Sequence, residues 1–364
     1  MKVKRNFVIA VFLLLCGFCF SEMNSIFQKS IRLLEEANYA FDLGEYGSAI
    51  KLAEEARITR ESEAQNNLNI LEDALKPNIV RKAGDSLIEV LSILKERQVY
   101  DAVSLIEYLI NLKGEVFFND SINTMKQYLE AKKKFPETYY LIAKVYEYEG
   151  EFDFAYSYFM QAWENRDVLD IPNQKFDILF DIATLSYNFS KYDDCEKALL
   201  LIIAEDPYYS DAAFKTALLG AVTRGYSADK IFDLYRTNCY RSISALFKLA
   251  ELYEGQGRVE EAYSTSFFGV LTSFTRMYEV LMNRTTDFEY NSLTNFFEIA
   301  MSYDDIANWS IEKGFWQCLY RLATTSRILY PDNNFGINFL NIIANYAPEN
   351  YWRQLAINKI YEKN

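Results

Sequence analysis

The chain has 364 residues, half of them apolar and 16% aromatic, with a net charge of -13 and no histidine. This is ample material for a core, which excludes a disordered chain. The acidic balance excludes nucleic acid, whose affinity rests on Lys and Arg neutralising phosphates, and the missing imidazole removes Ser-His-Asp and Cys-His activation and histidine metal ligands.

Lys2, Lys4 and Arg5 precede the apolar run FVIAVFLLLCGFCF (Phe7 to Phe20), and polar sequence resumes at Ser21 and Glu22. A basic head, an apolar stretch and a small exit residue predict a secretory signal over residues 1–21, cut after Ser21. As a helix, 14 residues reach only about 21 Å, short of a ~30 Å hydrocarbon core. A lipoprotein would carry a small residue before the modified cysteine, whereas Leu15 and Phe18 precede Cys16 and Cys19. Removing residues 1–21 takes away three positive charges and no negative ones, so the balance moves from -13 to -16. No later segment approaches 18 apolar residues, so the mature chain is expected not to span a membrane. Cys195, Cys239 and Cys318 remain, spaced as buried apolar residues rather than as a disulfide framework.

Beyond the leader, Gly and Pro are sparse and apolar residues recur at i, i+3, i+4 and i+7, which predicts helices throughout and no strand. The first pattern is LLEEANYAFDLGEYGSAIKLAEEA around Gly44. A weaker one, LIEVLSILKERQVYDAVSLIEYLI, turns near Arg97 without a corner glycine and is followed by an added helix, SINTMKQYLEAKKKF (Ser121 to Phe135). Next come YLIAKVYEYEGEFDFAYSYFMQA around Gly150 and LFDIATLSYNFSKYDDCEKALLLI around Ser190, the latter running on to Asp206-Pro207. AAFKTALLGAVTRGYSADKIFDLY is degenerate. LFKLAELYEGQGRVEEAYSTSFFG turns at Gly257, a further pair turns at Gly314 between Ala307 and Trp316, and the tail after Asn334 reads as a closing hairpin.

The clear copies share a skeleton. A small residue stands seven before the corner (Ala37, Ala143, Ala183, Ala250), a ring or Val two after it (Tyr46, Phe152, Tyr192, Val259), and another small residue five after it (Ala49, Ala155, Cys195, Ala262). Two helices that cross closely need small side chains at the crossing, and the corner needs a residue that tolerates positive φ. The ring two past the corner is expected to fill the wedge between the helices. On this skeleton the chain resembles the tetratricopeptide repeat family, whose 34-residue unit is two antiparallel helices. The resemblance implies an all-α superhelical solenoid of helical hairpins with inserted helices and a C-terminal capping hairpin. It divides the mature chain into irregular helices over 22–135, a central array over 136–270, and further hairpins with a cap over 271–364.

In that family the first helix of each repeat lines a concave groove. Carried over, the groove positions are Asn38 and Phe41 in the first copy, and Tyr140, Lys144, Glu147 and Tyr148 in the second. The third supplies Phe180, Thr184, Tyr187 and Asn188, and the fourth Phe247, Glu251 and Glu254. Rings beside polar groups suit a peptide segment. A clamp for a C-terminal carboxylate is disfavoured, because Leu34 stands where a lysine belongs and Glu147, Glu251 and Glu254 would repel an anion. Within YYLIAKVYEYEGEFDFAYSYFMQAW (Tyr139 to Trp163) most rings are expected to be core, leaving Tyr140 and Tyr148 for a partner.

No phosphate loop, metal-ligand set or carboxylate pair in an apolar setting is recognisable, so no cofactor, metal or enzyme activity is expected. The expected function is an exported scaffold or adaptor, in the bacterial periplasm or cell envelope, that binds other proteins of envelope complexes through its concave groove. The alternative is a small-molecule or solute-binding module with an aromatic-lined pore, and a third reading, a cell-wall-active enzyme, would require a buried acid pair.

Overall fold

Helix punctuation sets this architecture, and it acts at tight corners rather than through long loops. The computed structural model describes residues 26–74, 87–118, 121–285 and 288–362; the leader expected over residues 1–21 lies outside them. Among the described residues all regular structure is helical, with no strand, as the periodicity requires. No described helix is long and apolar enough to cross a membrane.

Two compact units divide between Ile178 and Leu179. The first contains α1 (Gln28–Asp42), α2 (Tyr46–Ala74), α3 (Leu87–Glu96), α4 (Tyr100–Lys113), α5 (Ser121–Ala131), α6 (Pro136–Glu149) and α7 (Phe152–Glu164). Here α1 packs on α2, α2 on α6, and α6 on α7. The boundary falls within α8 (Gln174–Asn188). The second unit continues with α9 (Tyr192–Ile203), α10 (Pro207–Ser210), α11 (Ala212–Thr223), α12 (Ala228–Leu234) and α13 (Ile243–Gly255). It ends with α14 (Val259–Arg284), α15 (Leu293–Ala300), α16 (Asp304–Glu312), α17 (Phe315–Leu329), α18 (Phe335–Tyr346) and α19 (Asn350–Tyr361). Within it α13 packs on α14, α14 on α17, α17 on α18, and α18 on α19.

The corners share one hydrogen-bond scheme. Gly44, Gly150 and Gly257 are left-handed, with φ of 77°, 81° and 70°. Past each corner an amide reaches back to the helix just ended: Glu45 N to Ala40 O, Glu151 N to Tyr146 O, Arg258 N to Tyr253 O. That is the six-to-one bond closing a helix whose last carbonyls would otherwise be orphaned. The copies without a corner glycine bend the same way, at Ser190 (φ 58°) and at Gln98 (φ 60°), one residue past the position expected from sequence. A left-handed serine costs roughly 1–2 kcal/mol, and glycine returns ~0.5–1 kcal/mol of that as backbone entropy. Ser190→Gly is therefore expected to stabilise the chain by about 0.5–1 kcal/mol, read as a higher urea midpoint with an unchanged slope.

The small residues flanking the corners sit in the core. Ala37 and Ala49, Ala143 and Ala155, Ala183 and Cys195, and Ala250 and Ala262 are all fully buried. Cys195 thus replaces an alanine, and burial raises its thiol to about 11; all three cysteines from Cys195 onward are free. The rings two past the corners divide: Trp316 is fully buried and Tyr46 half-buried, as expected of wedge fillers, but Phe152 and Tyr192 are open. Phe152 is 45% exposed and Tyr192 41% exposed, because each opens its helix at a hairpin tip, although Tyr192 still meets the Tyr187 ring edge-on at 5.6 Å. The helix expected over 121–135 ends at Ala131, and Lys132 turns inward to near-complete burial. Finally, α14 runs unbroken for 26 residues through the expected boundary at 270/271. It has Gly269 in its interior, where an added Cβ would meet the Phe247 ring at 2.7 Å.

Candidate functional site

In the first unit, α1 and α6 bring two of the predicted groove rings into contact at their C-terminal ends. Phe41 and Tyr148 meet edge-to-face with centroids 5.2 Å apart. Tyr46, at the start of α2, completes a triad at 5.9 Å from Phe41 and 6.4 Å from Tyr148. Such edge and tilted pairs are favoured by the ring quadrupole, yet Tyr148 stays 65% exposed. Asp42, Glu45, Glu149, Glu151 and Asp153, all exposed, surround the two tips. Between α6 and α7 a second row of rings runs from Phe154 to Tyr146 to Tyr158 to Tyr139, alternating between the two helices, with successive centroids 5.4, 5.6 and 6.4 Å apart.

The other predicted residues of this unit are committed within it. Lys144 Nζ pairs with Glu147 one turn on, at 2.6 Å. Tyr140 is half-buried and packs on the buried Phe159 at 5.7 Å. The Asn38 amide donates to the Leu34 carbonyl of its own helix at 2.8 Å. Of the two rings expected to face a partner in the Tyr139 to Trp163 stretch, Tyr148 is open and Tyr140 is mostly packing.

In the second unit, the groove positions of α8 and α13 scatter. The Lys248 ammonium lies 4.0 Å over the Tyr187 ring and pairs with Glu251 at 3.1 Å, which brings Tyr187 and Glu251 to one spot. Thr184 Oγ1 donates back to the Phe180 carbonyl at 2.9 Å, and Asn188 is exposed at the end of α8. Glu254 accepts from the buried Arg321 Nε at 2.7 Å. Phe247 is not a groove ring: it is buried, with Gly269 making room for it. Nearby, Glu196 takes the Arg258 guanidinium through two oxygens at 2.8 and 3.1 Å and accepts from the Tyr253 hydroxyl at 2.9 Å. The Arg258 hydrogen bonds hold this carboxylate below its ordinary range.

One constellation lies outside every sequence expectation. Arg60, fully buried on α2, is sandwiched between the Phe27 ring at 4.4 Å and the Phe135 ring at 3.7 Å. Its Nε donates to Ser30 Oγ at 2.8 Å, and its terminal nitrogens grip both oxygens of Asp170 at 2.7 and 3.3 Å. Lys132 Nζ meets the same carboxylate at 2.5 Å and the Val168 carbonyl at 2.8 Å. Glu137, buried at the start of α6, accepts the Asp170 backbone N–H through Oε1, while its Oε2 has no partner among the described residues. Burial, and then the Asp170 charge, push the Glu137 carboxyl above its usual range. Burial alone would raise Asp170 too, but hydrogen bonds and charge from Arg60 and Lys132 outweigh it and hold Asp170 low.

A carboxylate pair in an apolar setting therefore exists, against the expectation from sequence. Two carboxyls pushed apart in this way can mark acid-base chemistry. Here, however, both Asp170 oxygens are taken by the two cations, and the accepting Glu137 oxygen is held by backbone. The chemistry this arrangement performs is cross-linking: it ties α1, α2, the end of α5, the start of α6 and the segment after α7. Among the described residues no cluster of Cys, Asp and Glu is placed to hold a metal ion.

No family model matches the chain. It is similar to an uncharacterized protein of Treponema pallidum (strain Nichols), at 28% identity over 295 residues that cover 80% of this chain and 79% of the relative. It is also similar to an uncharacterized protein of Borreliella burgdorferi, at 23% identity over 240 residues covering 64% of this chain and 70% of that one.

Proposed function

We propose that this chain is an exported, non-catalytic adaptor built from tetratricopeptide-like hairpins, which recognises a protein partner through the rings at the α1–α2 and α6–α7 tips. The observation that carries the reading is Tyr148, a large ring left 65% exposed in contact with Phe41 and Tyr46. An open aromatic cluster of this kind is where interface energy concentrates, since rings desolvate a large area at little rotamer cost. The acidic rim of Asp42, Glu45, Glu149, Glu151 and Asp153 selects a partner segment with Lys or Arg beside its apolar anchor. Export rests on the basic-apolar-small leader, and an envelope location follows from it.

Copurification from an envelope extract, with and without Tyr148→Ala, tests this. A stoichiometric partner is expected with the native chain. Tyr148→Ala should weaken its binding by about 30-fold or more, the size of an aromatic hot spot near 2 kcal/mol. Helicity should be unchanged, because the ring is exposed. Loss of helical signal would make Tyr148 core, and recovery of the partner at native level would remove the rings from the interface. Deletion of residues 1–21 is expected to leave the protein in the cytosolic fraction.

A further inference from the structure

The exposed face of α18 carries asparagine at 334, 338, 341 and 345, a spacing of four, three and four residues that places all of them on one stripe. All four side chains are exposed, and the opposite face of the helix, with Phe335, Phe339, Leu340, Ile342 and Ile343, is buried, so the register is fixed. Asparagine is a poor helix former, and a solvated helix face in a chain with 24% charged residues would ordinarily hold Glu and Lys. The stripe is instead uncharged. It also lines two cavities of about 680 and 230 Å³, which share Asn338 and Ala228 and so adjoin.

These amides are unused inside the fold: among the described residues none of the four makes a side-chain hydrogen bond, whereas their neighbour Asn333 makes two. Asn333 donates to the Val222 carbonyl at 3.0 Å and accepts from Phe335 N at 2.9 Å, fixing the turn before α18. Beside the stripe, Tyr226 and Tyr330 line the larger cavity, and Thr294 of α15 and Tyr346 of α18 itself line the smaller. No lysine or arginine lines either cavity among the described residues; the charges are Asp332 and Asp229, and the latter already accepts from Leu293 N.

We propose that this groove binds a neutral oligosaccharide. Each free amide offers one acceptor and two donors, the complement needed to bracket neighbouring hydroxyl groups. Tyrosine supplies an apolar ring face beside a polar tip, which suits a sugar's C–H face and its hydroxyl edge. Anionic ligands are less suited: no cation lines either cavity among the described residues, Lys230 and Arg224 being held against the Tyr226 ring at 4.1 and 5.7 Å, and two carboxylates oppose an anion. An extended peptide fits less well than a sugar. The stripe advances about 6.0, 4.5 and 6.0 Å, in all ~16.5 Å, whereas three two-residue steps of extended backbone need about 20 Å. Hydroxyls distributed around a sugar ring impose no such fixed step. This site is independent of the ring cluster in the first unit, so the two readings stand or fall separately.

The test is calorimetric titration of the purified chain with neutral tetrasaccharides of glucose, mannose, galactose and N-acetylglucosamine. A capped uncharged peptide and heparin serve as competing classes. At least one tetrasaccharide is expected to bind with a Kd of about 1 mM or tighter. Asn338→Ala and Asn341→Ala should each weaken that binding about tenfold or more, with native circular dichroism, while Asn358→Ala on α19 leaves it unchanged. Binding of the peptide or of heparin without any tetrasaccharide overturns the proposal. So does saccharide binding that survives both substitutions, and so does the absence of binding by every probe.

Discussion

Asp170→Asn is expected to destabilise the first unit by about 3–5 kcal/mol, the cost of leaving buried charge without its counter-ion. Arg60 is fully buried and Lys132 nearly so, and both direct their charge at this one carboxylate, whose side chain is 28% exposed. The amide keeps the shape but neither the charge nor the second acceptor, so two cations would be stranded among Phe27, Phe135 and Tyr128. Faster hydrogen exchange in α1 and α6, with the second unit unchanged, checks the prediction. A loss below about 1 kcal/mol would place the pair with solvated surface bridges and end the clamp interpretation.

The same cluster gives a pH dependence with two opposed limbs. Asp170 is held low in the folded state, so its contribution is complete above its unfolded value near 3.9. It disappears as pH falls through the lower folded value. Glu137 is held high, so the folded protein binds its proton more tightly than the unfolded chain. Its contribution is complete below about 4.3 and fades as pH rises through the raised folded value. Glu137→Gln keeps the acceptor for the Asp170 amide and abolishes that second limb. Denaturant midpoints taken across pH in the two variants should therefore change slope in opposite senses.

How much of this was legible in the sequence depends on range. The corners were, because a left-handed residue and the alanines around it are local requirements, and Gly44, Gly150 and Gly257 announce them. Ser190 aligned only through its neighbours, and the turn at Gln98 was placed one residue early for want of a glycine. The clamp was illegible, since Arg60 and Asp170 lie 110 residues apart and Lys132 sits in a run of lysines that reads as solvated. The ring two past the corner was legible only in part: Trp316 is buried and Tyr46 half-buried beside Phe41 and Tyr148, but Phe152 and Tyr192, each the first residue of its helix, lie open at the hairpin tip. In α18 the asparagine stripe was visible at helical spacing, but its meaning needed the cavities that only the folded second unit supplies.

That second unit should be most sensitive at Phe274. The ring is fully buried near the middle of α14, where helix continuity was least expected, and it is the meeting point of four segments. Phe296 of α15 lies 4.4 Å away, Phe232 of α12 5.0 Å in an edge contact, and Tyr290 of the segment before α15 5.8 Å. The Arg236 guanidinium stands 5.1 Å over it. Phe274→Ala is expected to cost about 3–5 kcal/mol, from lost transfer energy and the cavity left behind, and to lower the urea midpoint accordingly. Phe274→Leu keeps most of the volume and should cost clearly less, so the difference between the two isolates the ring contacts. The consequence reaches the groove. Leu293 and Thr294, at the start of α15, line its smaller cavity, and α15 is seated on this ring through Phe296. Loosening that seat should weaken a ligand held against Asn341 and Asn345 more than one held against Asn334, a graded effect that a uniform loss of folded protein would not produce.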